Sequence, residues 1–426
     1  MKKYSFIMVM LALCTIYACK DVEKEPDGTW TPGAIEGYTV TPINGGATIT
    51  YDIPNDADIL YIMAEYERNG KIFTEKSSVH KNTLTIEGFD TMDKVPVTLY
   101  KVNRDEQRSE PLTLEFTPLE SLVGIAQKSL KMEPGFGGIV AYWDNPENTE
   151  LGVRLMVEED NELKTKEMYF STIAKEQRSF RGFEAENATF AIAFEDKWGN
   201  VSDTTVFNTT PFFETVVEKP YKDFRASIPY DNTSNLSGRD INVLWDNIVN
   251  TSRHGWLTNP GSSGLSITID LQQVVKLSRI VIHGYHINSV YSQVNITQFE
   301  AWGSSTMDFD KLKDRPYWLD ETLVRNDAIH GVDNTTVLPE RTFEDDWEYL
   351  GWHAIPRYDR MVPPDNQAVL DLAANGTEYI IPLEAKPVRY VRLVVREVAS
   401  AMPPPSNNYF SMGEITFYGD NTVPQE

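Results

Sequence analysis

Gly45-Gly46-Ala47-Thr48-Ile49-Thr50-Tyr51-Asp52-Ile53-Pro54 returns about 90 residues later as Gly137-Gly138-Ile139-Val140-Ala141-Tyr142-Trp143-Asp144-Asn145-Pro146, with the same spacing from Gly-Gly to Pro. A second match lies downstream in register: residues 99–110 against 192–203, each a β-rich run that enters a polar turn and leaves through Ser-Glu or Ser-Asp. Gly-Gly ahead of a strand supplies a turn of positive φ, and Pro at its far end stops ladder pairing. Both are scaffold features, so the repeat reports on architecture and not on chemistry.

Working outward, residues 47–51 and 97–102 are strands bounded by turn clusters such as Asn44-Gly45-Gly46 and Pro54-Asn55-Asp56, and no helical period competes with them in this first region. A repeat of this length with short strands predicts two tandem immunoglobulin- or fibronectin-III-like sandwiches, over 32–118 and 119–214. The turn Asp196-Lys197-Trp198-Gly199-Asn200 reads as a hairpin loop with a packed aromatic, and a binding tip is the alternative. Pro211, Pro220 and the charged run from Glu218 to Arg225 read as a linker around 212–223. Beyond it, 215–426 reads as one larger domain with long insertions.

Composition narrows the function classes. The 426 residues carry 39 Lys and Arg against 63 Asp and Glu, a net charge of -24, which repels phosphate backbones and excludes nucleic acid as a natural partner. Hydrophobic residues at 41% and charged residues at 24% are a globular balance. The two cysteines, Cys14 and Cys19, both fall at the start, so no disulfide framework holds the folded part together.

Lys2-Lys3 followed by the apolar stretch 7–18 has the form of a secretory signal, too short for a membrane span. Its end, Ile16-Tyr17-Ala18-Cys19, resembles a lipobox, with Tyr17 departing from the usual small residue. The resemblance implies a signal peptide over 1–18 and lipidation of Cys19, followed by a tether over 19–31. The acid-rich Lys20-Asp21-Val22-Glu23-Lys24-Glu25 is similar to the export signal that sends Bacteroidota lipoproteins to the outer face of the outer membrane.

In the last region, Leu265-Ser266-Ile267-Thr268-Ile269-Asp270-Leu271, residues 277–283 and Tyr390-Val391-Arg392-Leu393-Val394-Val395-Arg396 read as strands. Taken with Leu244-Trp245-Asp246-Asn247, Trp256-Leu257-Thr258, Phe299-Glu300-Ala301-Trp302-Gly303-Ser304 and Gly413-Glu414-Ile415-Thr416-Phe417-Tyr418-Gly419, their order resembles the coagulation-factor type C, or discoidin, family. That family is a galactose-binding-like jelly roll and includes the family 32 carbohydrate-binding modules. The whole order is also similar to Bacteroidota lipoproteins built from domains of unknown function 4959, 5126 and 5000, often encoded with polysaccharide-utilisation systems. The fold class expected is therefore all-β, two sandwiches followed by a jelly roll.

The resemblance implies a structural calcium ion held by Asp246, the loop through Asn250 and Thr251, and Glu414. Carboxylates and loop carbonyls suit its need for six to eight oxygens. Asn247 stands where glycine is usual, and a loop capped by a hydrogen-bonded aspartate without metal is the alternative reading. Ligands of such jelly rolls bind at loops of one barrel end, where aromatic faces hold sugar rings and a few polar groups fix the hydroxyls. The insertion between Ser305 and Asn366 supplies Trp318, Trp347, Tyr349, Trp352, His353, Arg357 and Tyr358, and other loops supply His254, Trp256, His286, Tyr291, Tyr409 and Phe410. Of these, Trp347, Tyr349, Trp352, His353, Arg357, Tyr358, His254, Tyr291 and Tyr409 are the expected ligand contacts, whereas Trp256 and Trp302 are expected in the core.

Catalytic motifs are not found. The six histidines form no His-Glu-x-x-His pattern, and neither a Gly-x-Ser-x-Gly elbow nor a Gly-rich phosphate loop occurs. Glu344-Asp345-Asp346 with Glu348 is the one place where a glycosidase acid pair could hide, since sequence does not show the distance between carboxylates. The expected function is non-catalytic glycan capture at the cell surface, with uptake-system proteins as further partners and a glycan or glycoprotein as ligand. An adhesion or structural protein that binds an envelope or host protein is the alternative, and a glycoside-active enzyme the third reading.

Overall fold

The computed structural model describes residues 30, 32–225, 228, 231, 235–236, 238–249, 254–258, 266–285, 294–313, 315–318, 342–355, 372–399 and 409–424. The signal, Cys19 and nearly all of the tether lie outside the described residues, as do Asn250, Thr251, His286, Tyr291, Arg357 and Tyr358. The architecture is all-β: two tandem immunoglobulin/fibronectin-III-like sandwiches followed by a galactose-binding-like jelly roll. Among the described residues no helix is long and apolar enough to cross a membrane.

By contacts the chain falls into two units, Met1–Met132 with Ala141–Arg178 and Thr189–Phe207, and Glu133–Val140 with Ser179–Ala188 and Asn208–Glu426. In the first, strands β1 (Tyr38–Ile43), β2 (Gly46–Tyr51), β3 (Ile59–Arg68), β4 (Lys71–Ser78), β5 (Thr83–Glu87), β6 (Val95–Asn103) and β7 (Leu112–Phe116) make sheets of order β1-β2-β5 and β4-β3-β6-β7. Ile49, Ile62, Ala64, Ile86, Val97 and Leu99 fill the core between them. After a short helix, Leu122–Ser129, come β8 (Lys131–Gly135), β9 (Gly138–Asp144), β10 (Leu151–Glu159), β11 (Glu162–Ser171), β12 (Lys175–Phe180), β13 (Ala188–Glu195) and β14 (Thr205–Thr209). Their sheets run β12-β9-β8 and β11-β10-β13-β14, and the Trp143 ring meets that of Phe194 at 5.7 Å.

The sequence repeat is a repeat of hydrogen bonds. Gly45 (φ 63°) donates to Leu119 O at 3.0 Å and accepts from Phe89 N at 2.9 Å; Gly137 (φ 64°) donates to Phe212 O at 2.8 Å and accepts from Phe183 N at 2.9 Å. The second glycine of each pair serves a different need: a Cβ on Gly46 would stand 2.0 Å from Ile86 O, and one on Gly138 would stand 1.9 Å from Phe180 O. The downstream match is equally literal. Asn103 Oδ1 caps the amides of Asp105 and Gln107, as Asp196 Oδ1 caps those of Trp198 and Asn200. Ser109 Oγ accepts from Lys101 N and Ser202 Oγ from Phe194 N, both at 2.9 Å.

Two expectations change. The helix Leu122–Ser129 is capped by Ser121, whose Oγ accepts from Gly124 N at 3.2 Å; eight residues are too few to raise a periodic signal. The segment read as a linker is built into the second unit. Glu214 is buried between Arg181 and Arg279, β15 (Thr215–Val216) pairs with β24 (Glu414–Asp420), and β16 (Lys222–Asp223) pairs with β18 (Ser266–His283). Four of its charges, Glu214, Lys219, Asp223 and Arg225, are paired.

The jelly roll adds β17 (Trp256–Leu257), β19 (Ile296–Ser304), β20 (Glu348–Ala354), β21 (Thr377–Ile380), β22 (Val388–Val398) and β23 (Ser411–Met412). Its main path is β15-β24-β18-β22-β19-β20. The two strands expected over 265–271 and 277–283 are one element, β18. Gln272 (φ 63°) bends it, with Asp270 Oδ1 accepting from Gln272 N at 2.7 Å, so its first half pairs with β22 and its second with β24 and β21.

Candidate functional site

Strands β19, β20 and β22 separate two cores. On the inner face Phe299, Ala301, Leu393 and Val395 join the barrel core with Trp256, whose ring is fully buried. The outer face presents Trp302, Tyr390 and Val394 to a second cluster made by Leu312, Tyr317, Trp318, Phe343 and Trp347. Part of the aromatic insertion is thus a cap over the sheet, with Trp318 meeting Trp347 edge-on at 5.7 Å. Beneath it Arg392 is buried against Asp231 at 2.6 Å, with its guanidinium 4.7 Å from the Trp318 ring centroid. Trp256 and Trp302 are core residues, as expected.

Beside the cap the surface changes character. Strand β20 ends the sheet, and its Tyr349 and Trp352 are 48% and 50% exposed. Gly351 (φ 122°) and a bulge opposite Ala301/Trp302 break the alternation, so both rings lie on the outer face, opposite Trp302 and Glu300. Glu300 takes two bonds from Arg396, at 3.1 and 2.8 Å, and one from Trp302 Nε1 at 3.2 Å. Gln298 reaches Glu397 one position along. An exposed indole next to a carboxylate and guanidinium already locked in place suits a ligand with both an apolar face and hydroxyls.

Two expected ligand contacts are not on the surface. Trp347 is 6% exposed because it seals the cap. His353 points inward, its ring 5.1 Å from Phe299 and its Nε2 3.2 Å from Leu350 O; burial holds its pKa down to about 4, so it is neutral. Tyr349 and Trp352 are exposed, as a contact needs, and Tyr409 is half-buried. Residues bordering 259–265, 286–293, 356–371 and 400–408 are bonded together at one barrel end: Thr258 N to Phe410 O, Val294 N to Ala399 O, Ser411 N to Val294 O and Ile355 N to Thr297 O. Tyr409 stands at this end, whereas Tyr291, Arg357 and Tyr358 lie outside the described residues.

Sequence reading missed Glu300, Arg396 and Gln298. Arg396 ends a run read as a strand, Glu300 lies in the motif Phe299–Ser304 and Gln298 just ahead of it; the available signal was a polar residue at an outward position beside Trp302.

In the acidic run, Asp346 and Glu348 are held by different lysines. Asp346 is bound by Lys311 at 2.5 Å and by Tyr317 Oη at 2.9 Å, and the Lys311 ammonium holds its carboxyl below the usual carboxylate range. Glu348 instead meets Lys386 at 3.4 Å.

Of the residues expected around calcium, Asn250 and Thr251 lie outside the described residues, and Asp246 and Glu414 each have protein partners. Asp246 accepts from Ile248 N at 2.9 Å and from His254 Nε2 at 2.8 Å, which also accounts for His254. Glu414 is bound by the Lys219 ammonium and by Asn247 N at 3.2 Å. Among the described residues no group of three or more His, Cys, Asp or Glu is placed to hold a metal.

Profiles of three families match consecutive stretches: domain of unknown function 4959 over residues 32–118, domain of unknown function 5126 over 119–220, and a further domain of unknown function, 5000, over 245–419. No curated protein matches the chain. Among solved structures, a SusE-like protein is 19% identical over 70% of this chain and 99% of its own, with a TM-score of 0.37. The family 32 carbohydrate-binding module of Clostridium perfringens NanJ, solved with galactose, is 14% identical over 48% of this chain and 98% of its own, with a TM-score of 0.25. A two-domain fibronectin type III segment of chicken tenascin is 12% identical over 41% of this chain and 98% of its own, with a TM-score of 0.21.

Proposed function

We propose that this chain is a non-catalytic glycan-binding protein of the bacterial cell surface, anchored in the outer membrane through lipid on Cys19, which passes captured polysaccharide to uptake proteins. The observation that carries the reading is Trp352, half-exposed on the terminal strand β20 beside the fixed Glu300–Arg396 pair. A buried tryptophan is explained by packing; one held open to solvent beside oriented hydrogen-bonding groups has the makings of a ligand-binding surface. The strand motifs that resemble family 32 carbohydrate-binding modules support the same reading, and so does a net charge that disfavours nucleic acid.

The test is a glycan array on protein beginning at Trp30, run beside Trp352→Ala and Tyr349→Ala. Selective binding that falls at least tenfold in Trp352→Ala, with an unchanged melting temperature, supports glycan capture at β20. Folded protein that binds no carbohydrate overturns the function, and binding indifferent to Trp352 moves the site to the loop end of the barrel. The alternative of a protein partner draws on Leu163, Met168 and Phe170, which are exposed on the edge strand β11; crosslinking on cells then replaces the array.

A further inference from the structure

We propose that the ammonium group of Lys219 is the resident cation of the jelly roll, tying the entering chain to the last strand in place of a divalent metal. Glu414 opens β24 with a side chain only 1% exposed, and a carboxylate so buried needs a positive charge beside it. Lys219, itself 10% exposed, supplies that charge from the segment ahead of β16. Its three N–H groups meet three oxygens: the Glu414 carboxylate, Asn247 Oδ1 at 3.0 Å and Thr416 Oγ1 at 3.0 Å. Among the described residues these three acceptors match the three N–H groups of an ammonium ion and fall short of the six to eight oxygens that calcium takes.

The geometry around it agrees. Asn247 (φ 65°) turns so that its amide N–H bonds Glu414 while its side-chain oxygen faces Lys219, and the three segments at 219, 247 and 414–416 close on one point. Asp246, next along the chain, is engaged by Ile248 N and by His254. A divalent ion at Glu414 would have to displace Lys219 or sit against a like charge. The jelly roll therefore keeps its fold, and its ligand site, in surroundings stripped of calcium.

The experiment is thermal unfolding of the full chain in millimolar calcium and in chelator, on the natural protein, Lys219→Met and the double variant Lys219→Met/Glu414→Gln. The natural protein is expected to melt at the same temperature in both media, within about 1 °C. Lys219→Met is expected to melt lower by on the order of 10 °C, the effect of leaving a buried carboxylate unpaired in a domain of this size. Adding Glu414→Gln should restore at least half of that loss, because the unpaired charge goes with it. A natural protein stabilised by calcium overturns the proposal, and so does a Lys219→Met variant as stable as its parent. If Lys219→Met does not fold, calcium titration calorimetry on the natural protein decides: saturable binding lost in Glu414→Gln overturns it, and no heat supports it.

Discussion

Trp347 and Trp352 stand five residues apart and have opposite surroundings, one sealed in the cap and one open on β20. Trp347→Ala should destabilise the protein by about 3–5 kcal/mol, as removal of a buried aromatic does, whereas Trp352→Ala should stay within about 0.5 kcal/mol of the parent; urea unfolding of the pair measures both. His353 predicts a pH response. Its ordinary pKa is 6.5 and burial lowers it to about 4, so between those values the unfolded chain takes up a proton that the folded chain does not. That contribution to stability is complete above pH 6.5 and is lost as pH falls toward 4, by at most about 3 kcal/mol. His353→Leu should flatten this part of a melting-temperature profile, and an unchanged slope would place the titrating group elsewhere. The aromatic wealth of the insertion was legible in the sequence, but its division between cap and surface was not. That division turns on Gly351 and the bulge, which put Tyr349 and Trp352 on one face although three-residue spacing in an unbroken strand puts them on opposite faces.

At the scale of elements, the duplicated hairpins were the most readable part of the chain. Gly-Gly, Pro and the polar turns recur because each copy needs the same backbone bonds. Gly46→Ala and Gly138→Ala should each be strongly destabilising, since the added methyl meets a strand carbonyl and not a side chain that can move aside. Ser109→Ala and Ser202→Ala should each cost about 1–2 kcal/mol and nearly the same amount, by loss of the one hydroxyl that joins both strands of its turn. Denaturant midpoints for the four variants test the equivalence, and a serine that proves neutral breaks it. The segment around Glu214 was misread because prolines and charges in sequence look alike whether solvated or paired. Only the fold brings Arg181 and Arg279 to that carboxylate. Lys219 was hidden for the same reason, being far from Glu414 in sequence.

At the scale of the whole molecule, 39 cationic side chains face 63 anionic ones. Several ion pairs are exposed, such as Lys94–Glu115 at 75% and 56%, and such pairs contribute little, so screening should relieve more repulsion than it removes attraction. Raising sodium chloride from about 20 mM to about 500 mM, a change that shortens the Debye length several-fold, should therefore raise the melting temperature by a few degrees; a fall would show that the buried pairs are reached by salt. The all-β class follows from strand patterning and the two sandwiches from the repeat, while the jelly roll was legible through motifs that resemble the discoidin family. The proposed binding surface follows from which strand ends the sheet, and that is a property of the finished topology.

The cap over β19 and β22 gives the insertion a protective role toward its own barrel. Stripped of Trp318, Phe343 and Trp347, the sheet would show Trp302, Tyr390 and Val394 as a flat apolar face next to a terminal strand, the form of surface on which chains aggregate. A shortened version of this protein, trimmed between β19 and β20 to simplify it, should come out of expression as aggregate unless those three positions are made polar at the same time.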